Sequence, residues 1–251
     1  MAGLIESYKK VYENKKIHIW IFVIVLVWSV LSNLFDIAIG KPDTARQNPF
    51  DLVFNFLIGI YSLQFLHNAI KADLPLPYFK EVNWNALGGL ILLNIVWGIY
   101  LAIALIFAVI SYFLVHSYIL PAIVLLAVLF VSVFVYYIYL AYAEGFQFKG
   151  LFDIRLIFNF IKVSAKETYI KLGLFLLFTF AVIAVYLAIY VSSAFAGFDK
   201  IGHIAGDYYA FDMVMFAVIG YFLVVTWFFA FPYSLIKTYI EKVRPVLGED
   251  E

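Results

Sequence analysis

The sequence contains no cysteine among its 251 residues, and only 14% of its residues are charged. The absence of cysteine excludes a disulfide-stabilised secreted scaffold and a metal site built from thiolates. A soluble domain carries about a quarter charged residues, whereas this chain is 65% apolar, which excludes a soluble globule. Because 17 Lys and Arg balance 17 Asp and Glu, no basic field favours nucleic acid as a partner. The class that remains is an integral membrane protein.

Six long apolar runs predict six transmembrane helices. A spanning helix needs about 20 apolar residues to cross a hydrocarbon core about 30 Å thick. Since lipid offers no hydrogen-bond partners, each run is expected to satisfy its backbone as an α-helix. The predicted spans are residues 17–39, 52–70, 86–110, 118–143, 169–195 and 211–236. The sequence therefore predicts an all-α fold, a single polytopic membrane domain over 1–251 built as a bundle of six helices.

The distribution of Lys and Arg predicts the orientation of the bundle. Of the 17 such residues, 14 precede span one, follow span six, or lie between spans two and three or four and five. By the positive-inside rule, both termini are then cytoplasmic, and we expect a multi-pass protein of a prokaryotic plasma membrane. A cleaved signal peptide over span one is the alternative, but the apolar run is long and no small-x-small site precedes Lys41.

Three cytoplasmic segments are expected to lie at the membrane interface: residues 4–12, 73–85 and 153–163. In the first, apolar residues at 4, 5, 8, 11 and 12 share one helical face, which is typical of an amphipathic interfacial helix. In the second, two prolines hold the chain extended, and aromatic residues at 78, 79 and 84 suit headgroup depth.

The third segment carries a polar stripe at helical spacing. Arg155, Asn159 and Lys162 share that stripe, which extends to Lys166 if the helix continues, and apolar residues at 154, 157, 158 and 161 line the opposite side. Ser164 and an acidic residue three positions later match a capping box, which favours a corner before span five. One continuous helix is the alternative. We expect these four polar residues to contact lipid headgroups, anionic ones in particular, or a partner, beyond simple anchoring.

Short motifs in the cytoplasmic half resemble a known family. They are LPYF at 76–79, LGGL at 87–90, YAEGF at 142–146 and FDIR at 152–155. The pattern resembles a domain-of-unknown-function family of bacterial and archaeal six-span membrane proteins, which is distantly similar to the membrane domain of glycerophosphoryl diester phosphodiesterases. The resemblance implies a fold and a membrane location. It implies no catalytic residue, and no part of the chain represents the soluble phosphodiesterase domain.

A search for catalytic and metal-binding motifs favours a protein that is not an enzyme. There is no H-E-x-x-H, G-x-S-x-G or Walker lysine loop, and the four histidines fall on different segments. Asp199, Asp207 and Asp212 lie near His203 in a predicted outer loop, where a cation site and a solvated turn are both possible. The solvated turn is favoured, and we expect no cofactor and no metal.

Amide side chains inside the predicted spans include Asn33, Asn55, Gln64 and Asn94. Asn33 and Asn55 fall at similar depth on spans one and two, and Gln64 and Asn94 on spans two and three. They predict either interhelical hydrogen bonds or a polar groove among spans one to three. Asp36 is the only Asp, Glu, Lys or Arg in the first four spans, which weighs against ion-coupled transport.

These observations favour a non-enzymatic scaffold or accessory subunit that organises lipid or a partner. The partner is a membrane protein or a second copy of the chain, and nucleic acid is not expected. The alternative is a transporter or carrier for lipid or a small uncharged solute. A carrier should contain a continuous polar cavity between helices, whereas a scaffold should be a packed bundle.

Overall fold

The computed structural model describes residues 2–38, 49–115, 119–147, 150–205 and 208–247. Six stretches are long and apolar enough to cross a membrane, so the predicted all-α, six-helix membrane fold is confirmed and the protein is a multi-pass membrane protein. They are Lys15–Phe35, Phe50–Ala72, Trp84–Ile110, Ile119–Gly145, Arg155–Phe195 and Ala210–Leu247.

The described elements are mostly helical. The α-helices are α1 (Ala2–Val11), α2 (Lys15–Ala38), α3 (Pro49–Ala72), α4 (Leu87–Val115), α5 (Ile119–Ser132), α6 (Val135–Gly145), α7 (Arg155–Phe195), α8 (Ala210–Val224), α9 (Phe231–Thr238) and α10 (Arg244–Leu247). Two π-helical segments, Val225–Ala230 and Tyr239–Val243, join α8 to α9 and α9 to α10. Short 3-10 turns cover Phe79–Glu81, Trp84–Ala86 and Phe198–Lys200, and a small antiparallel hairpin pairs β1 (His203–Ala205) with β2 (Tyr208–Tyr209).

The spans pack in pairs, α2 against α8, α3 against α6, and α4 against α5. The first pair approaches closely at Gly220, where an added Cβ would lie 3.3 Å from Val25 Cγ1. Val25 of α2 is fully buried in this contact, and so is Ala217, which lies about one turn before Gly220 on α8. Small residues are typical of such sites, since helix association in lipid depends on close backbone packing.

Burial is concentrated at one end of the bundle. This packed end is formed by α1, residues 73–86, the first turns of α7, and α9 with α10. Its core is aromatic: Tyr61, Phe65, Tyr137, Tyr142, Phe160, Phe229, Phe231 and Tyr239 are all fully buried. By contrast, only 11% to 12% of the apolar windows of the third, fourth and fifth spans is buried. Those helices expose large apolar side chains, as expected of surfaces in lipid.

The fifth span is one continuous helix of 41 residues, so the predicted corner at Ser164 is wrong. The hydroxyl of Ser164 is buried and donates to the carbonyl oxygen of Phe160 at 2.7 Å, the usual bond of a serine within a helix. Glu167 pairs instead with Lys242, at 2.6 Å. At 1.5 Å per residue, α7 is about 60 Å long, roughly twice the hydrocarbon thickness.

The fourth span is not the single unbroken helix that its apolar run predicts. It divides into α5 and α6 at Val133 and Phe134, neither of which is glycine or proline. The backbone tightens there, because Phe134, Tyr136 and Tyr137 each donate to the carbonyl three residues earlier. The tightened turn places the fully buried ring of Phe134 edge-on against Tyr169 of α7.

The first helix buries only part of the apolar face that its pattern predicts, through Leu4, Tyr8 and Val11, and it buries two polar residues as well. Ser7, Lys10 and Val11 are buried, whereas Ile5 is 64% exposed. The reason is that α1 packs on α9 and on the π-helical segment before it. The buried Lys10 is accommodated because its amine forms ion pairs with Glu13 and Asp73.

Candidate functional site

The structure does not pair the two inner amides that the sequence places at similar depth. Gln64 Oε1 accepts from the backbone N–H of Asn83 at 3.0 Å, and its Nε2 donates to Asn68 Oδ1 at 3.0 Å. Asn94 Nδ2 donates to the Leu90 carbonyl at 2.8 Å, and its Oδ1 accepts from the Tyr139 hydroxyl at 3.0 Å. Gln64 therefore fixes the segment after α3, and Asn94 joins α4 to α6.

The two outer amides also have different surroundings. Asn33 Nδ2 donates to the carbonyl oxygen of Ser29 in its own helix, at 2.6 Å. Asn55 is exposed on α3 and lines a cavity, together with Asn94. Two of the four predicted intramembrane polar residues thus reach the same cavity, although they lie on different helices.

This cavity is a groove along α3 with a volume of about 520 Å³. On the α3 side it is lined from Asp51 to Leu66, a rise of about 22 Å at 1.5 Å per residue. The opposite walls are formed by α4, α6, the π-helical segment and α9, through Leu90, Asn94, Tyr136, Tyr139, Trp227, Phe228 and Pro232. This groove lies among spans two, three, four and six, so it shares two spans with the groove that the amides predict among spans one to three.

Pro232 explains the unusual backbone of the groove wall. In an α-helix, a residue at position 232 would donate its backbone N–H to the Phe228 carbonyl. In a π-helix, the geometry of the residues just before it, the same N–H would reach the Trp227 carbonyl instead. Proline has no N–H, so neither carbonyl can accept a hydrogen bond from position 232. The Ser62 hydroxyl donates to the Phe228 oxygen, and the Tyr136 hydroxyl donates to the Trp227 oxygen at 3.3 Å. Side chains of α3 and α6 thus satisfy the backbone that Pro232 leaves open.

Among the residues that line the groove, Asp51 at one end is the only charged one. Asp51 Oδ1 accepts from Trp28 Nε1 at 2.8 Å, which joins α3 to α2. Asn55 follows one helical turn later on the same face. The remaining lining is mostly apolar, and its hydroxyls and the Asn94 amide bond to the protein itself.

The packed end holds a set of ion pairs and hydrogen bonds between chain segments. Arg244 lies 2.7 Å from Glu144, which also accepts from the Tyr239 hydroxyl at 2.6 Å. Lys171 donates to the Ser234 carbonyl and to the Thr238 hydroxyl, both at 2.7 Å. These contacts connect α6, α7, α9 and α10 into one layer.

Sequence reasoning missed the tyrosine hydroxyls that complete this layer. Tyr61 donates to the Pro77 carbonyl at 2.6 Å, and Tyr142 donates to the Ala86 carbonyl at 2.8 Å. Tyr8 on α1 pairs with the Thr226 hydroxyl at 2.6 Å, and burial raises the pKa of Tyr8 to about 12. The available signal was the abundance of tyrosine, 19 residues, many of them near predicted span ends.

The predicted headgroup surface is exposed, but its apolar neighbours differ from the prediction. Arg155, Lys162 and Lys166 are exposed and Asn159 is partly so. Ile154 is 44% exposed and Phe158 is 56% exposed on the same side of α7. The buried face is instead formed by Leu156, Ile157, Phe160 and Ser164, because the helix packs on the bundle rather than lying free at its surface.

The histidines and outer acidic residues take structural positions where they are described. His18 bonds the Val11 carbonyl at 2.9 Å and the Tyr221 hydroxyl at 2.7 Å, and His67 bonds the Ala143 carbonyl at 2.7 Å. Asp212 accepts from the Tyr190 hydroxyl at 2.8 Å. Asp207 lies outside the described residues, and within them no three His, Asp or Glu side chains form a metal-binding group.

Comparisons of the chain with family models, with curated proteins and with solved structures give no match. The resemblance to the six-span family of unknown function therefore stays a prediction.

Proposed function

We propose that this chain is a non-enzymatic scaffold or accessory subunit of a prokaryotic plasma membrane that organises anionic lipid at its cytoplasmic face. The charge asymmetry supports an orientation with both termini in the cytoplasm. In that orientation the packed end is cytoplasmic, and the first turns of α7 extend beyond the hydrocarbon core.

One observation carries this proposal: a mixed basic and apolar surface on the first turns of α7. This α7 surface consists of Ile154, Arg155, Phe158, Lys162 and Lys166, all exposed. Several basic residues elsewhere in the packed end form ion pairs with carboxylates, such as Lys242 with Glu167. Among the described residues, no ion pair involves Arg155, Lys162 or Lys166. Apolar side chains beside unpaired basic ones suit the region where headgroups meet acyl chains.

The test replaces Arg155, Lys162 and Lys166 together with Gln. Each basic residue near an anionic surface contributes about 1 kcal/mol, so affinity for phosphatidylglycerol is expected to fall about 100-fold. Titration of the detergent-solubilised protein with phosphatidylglycerol, followed by native mass spectrometry, measures the change. Salt should weaken binding to the unmodified protein, since the contacts are exposed.

The matched control replaces Lys41, Arg46 and Lys200 with Gln, which removes the same charge from the predicted outer side. Affinity of this control should stay close to that of the parent chain. Equal loss in both variants would show a net-charge effect, and unchanged, salt-insensitive binding in the α7 variant would contradict the proposal.

The second candidate is a carrier for lipid or a small uncharged solute; the groove along α3 favours a lipid, because its lining is mostly apolar rather than the continuous polar cavity expected for a polar solute. Proteoliposomes with a fluorescent monoacylglycerol in one leaflet test this function. A carrier should accelerate transfer of the label to the other leaflet, whereas a scaffold should leave the rate at that of protein-free liposomes.

A further inference from the structure

We infer that the groove along α3 binds the acyl chain of an uncharged glycerolipid, with the glycerol hydroxyls at Asp51 and Asn55. This inference goes beyond the proposed function and is independent of it, since the groove and the α7 surface share no residue.

The shape of the groove fits a single chain. It extends about 22 Å along one helix, and its volume of about 520 Å³ lies in the range of ligand sites. Midway along it, Gly59 contributes no side chain, and an added Cβ would lie 3.2 Å from Leu90 Cδ2. The α3 and α4 helices therefore approach closely at Gly59, which lines the groove, and a larger side chain at position 59 would displace Leu90 and obstruct the groove.

The polarity of the groove favours an apolar occupant over most of its length. The Ser62 and Tyr136 hydroxyls are used on the backbone carbonyls that Pro232 leaves open. Tyr139 donates to Asn94, whose amide nitrogen already donates to Leu90. A polar solute would have to displace these bonds, whereas an acyl chain gains contact with the apolar side chains between them.

The charge at one end selects the headgroup. Asp51 and Asn55 lie one turn apart on the same face of α3, and both line the groove. A carboxylate accepts hydrogen bonds from hydroxyl groups and repels a phosphate. An amide both donates and accepts, which suits a glycerol with two free hydroxyls. The head that fits is therefore uncharged and hydroxyl-bearing.

The experiment compares two probes with the same chain and glycerol, 1-oleoylglycerol and 1-oleoylglycerol 3-phosphate. Native mass spectrometry of the purified full chain gives the affinity for each. The chain carrying Arg155→Gln, Lys162→Gln and Lys166→Gln is used throughout, so that the phosphate cannot bind the α7 surface. We expect one bound 1-oleoylglycerol, preferred over the phosphate by about tenfold.

Two substitutions locate the site. Gly59→Leu should weaken 1-oleoylglycerol binding about tenfold, whereas Gly98→Leu should leave it unchanged, since open space surrounds Gly98 on α4. Asp51→Asn should abolish most of the preference against the phosphate. Equal binding of the two probes by the chain that carries only the three α7 substitutions, or equal loss in both glycine variants, would overturn the inference.

A second measurement covers the case in which Gly59→Leu fails to fold. A 1-oleoylglycerol analogue with a diazirine in its chain is photo-crosslinked to the parent protein, and the labelled peptides are identified. Labelling of Leu63 or Phe228, reduced by excess unlabelled 1-oleoylglycerol, supports the site. Labelling confined to the exposed faces of α5 or α7 contradicts it.

Discussion

Position 89 requires a glycine because of side-chain packing and not because of its backbone conformation. The buried Tyr142 passes directly over this glycine to donate to the Ala86 carbonyl. A Cβ added at position 89 would overlap the Tyr142 hydroxyl and lie 2.6 Å from its ring carbon Cζ. Neighbouring Gly88 has open space where a Cβ would stand. The two adjacent glycines therefore provide a matched pair.

We predict that Gly89→Ala destabilises the protein by about 1–3 kcal/mol, because it overpacks a buried contact. Gly88→Ala should be neutral or stabilise by about 0.5–1 kcal/mol, since alanine favours the helix. Thermal unfolding in detergent, followed by size-exclusion chromatography, measures both. Adding Tyr142→Phe should recover part of the Gly89→Ala loss, and equal unfolding temperatures of the two alanine variants would contradict this account.

The same contact shows what the residues alone could predict. The motifs at 87–90 and 142–146 stood out in the sequence, but nothing in their spacing indicated that Tyr142 contacts Gly89. Counting from span ends placed Gln64 and Asn94 at similar depth. Depth does not give rotation about the helix axis, and the two amides bond Asn83 and Tyr139 instead of each other.

At the scale of the element, the π-helical segment before α9 depends on donors from other helices. The residue type alone shows that Pro232 lacks a backbone N–H. It does not predict that Ser62 and Tyr136 replace the lost donor, because they lie 166 and 91 residues away from the carbonyls they bond.

We predict that Ser62→Ala costs about 1–3 kcal/mol in the parent chain, because the Phe228 carbonyl loses its donor. In a Pro232→Ala background the cost should be smaller, since the restored backbone N–H can donate. A double-mutant cycle by thermal unfolding measures the difference. Ser192→Ala, at an exposed position near the C-terminal end of α7, is the control and should be near neutral in both backgrounds. Additive losses would show that Ser62 does not compensate for the proline.

The buried face of α7 shows a second limit of what the sequence predicts for an element. Helical spacing predicted a helix at 153–163 and a polar stripe along it. It did not predict which face would be buried, since Ile154 and Phe158 are as apolar as Ile157. Only packing against the rest of the bundle distinguishes them, and that packing leaves both exposed beside Arg155.

At the scale of the whole molecule, the spans could be predicted because each satisfies its own backbone and needs only apolar composition. The packed end could not, because its contacts join distant segments. Lys10 pairs with Asp73, and Arg244 pairs with Glu144. From the sequence these side chains are expected to be solvated charges near the cytoplasmic interface. In the structure they form ion pairs that join separate segments.

The unequal distribution of Lys and Arg residues along the whole chain predicts its orientation in the membrane. Because the sequence has no cysteine, a single introduced one is a unique label. A cysteine at His203 should react with an impermeant thiol reagent added to intact cells, whereas cysteines at Lys80 and Gln147 should react only after the membrane is opened. All three positions are exposed in the folded chain, so differences in reactivity report the side of the membrane. Labelling of Gln147→Cys in intact cells would place the packed end outside and remove the α7 surface from the cytoplasmic leaflet.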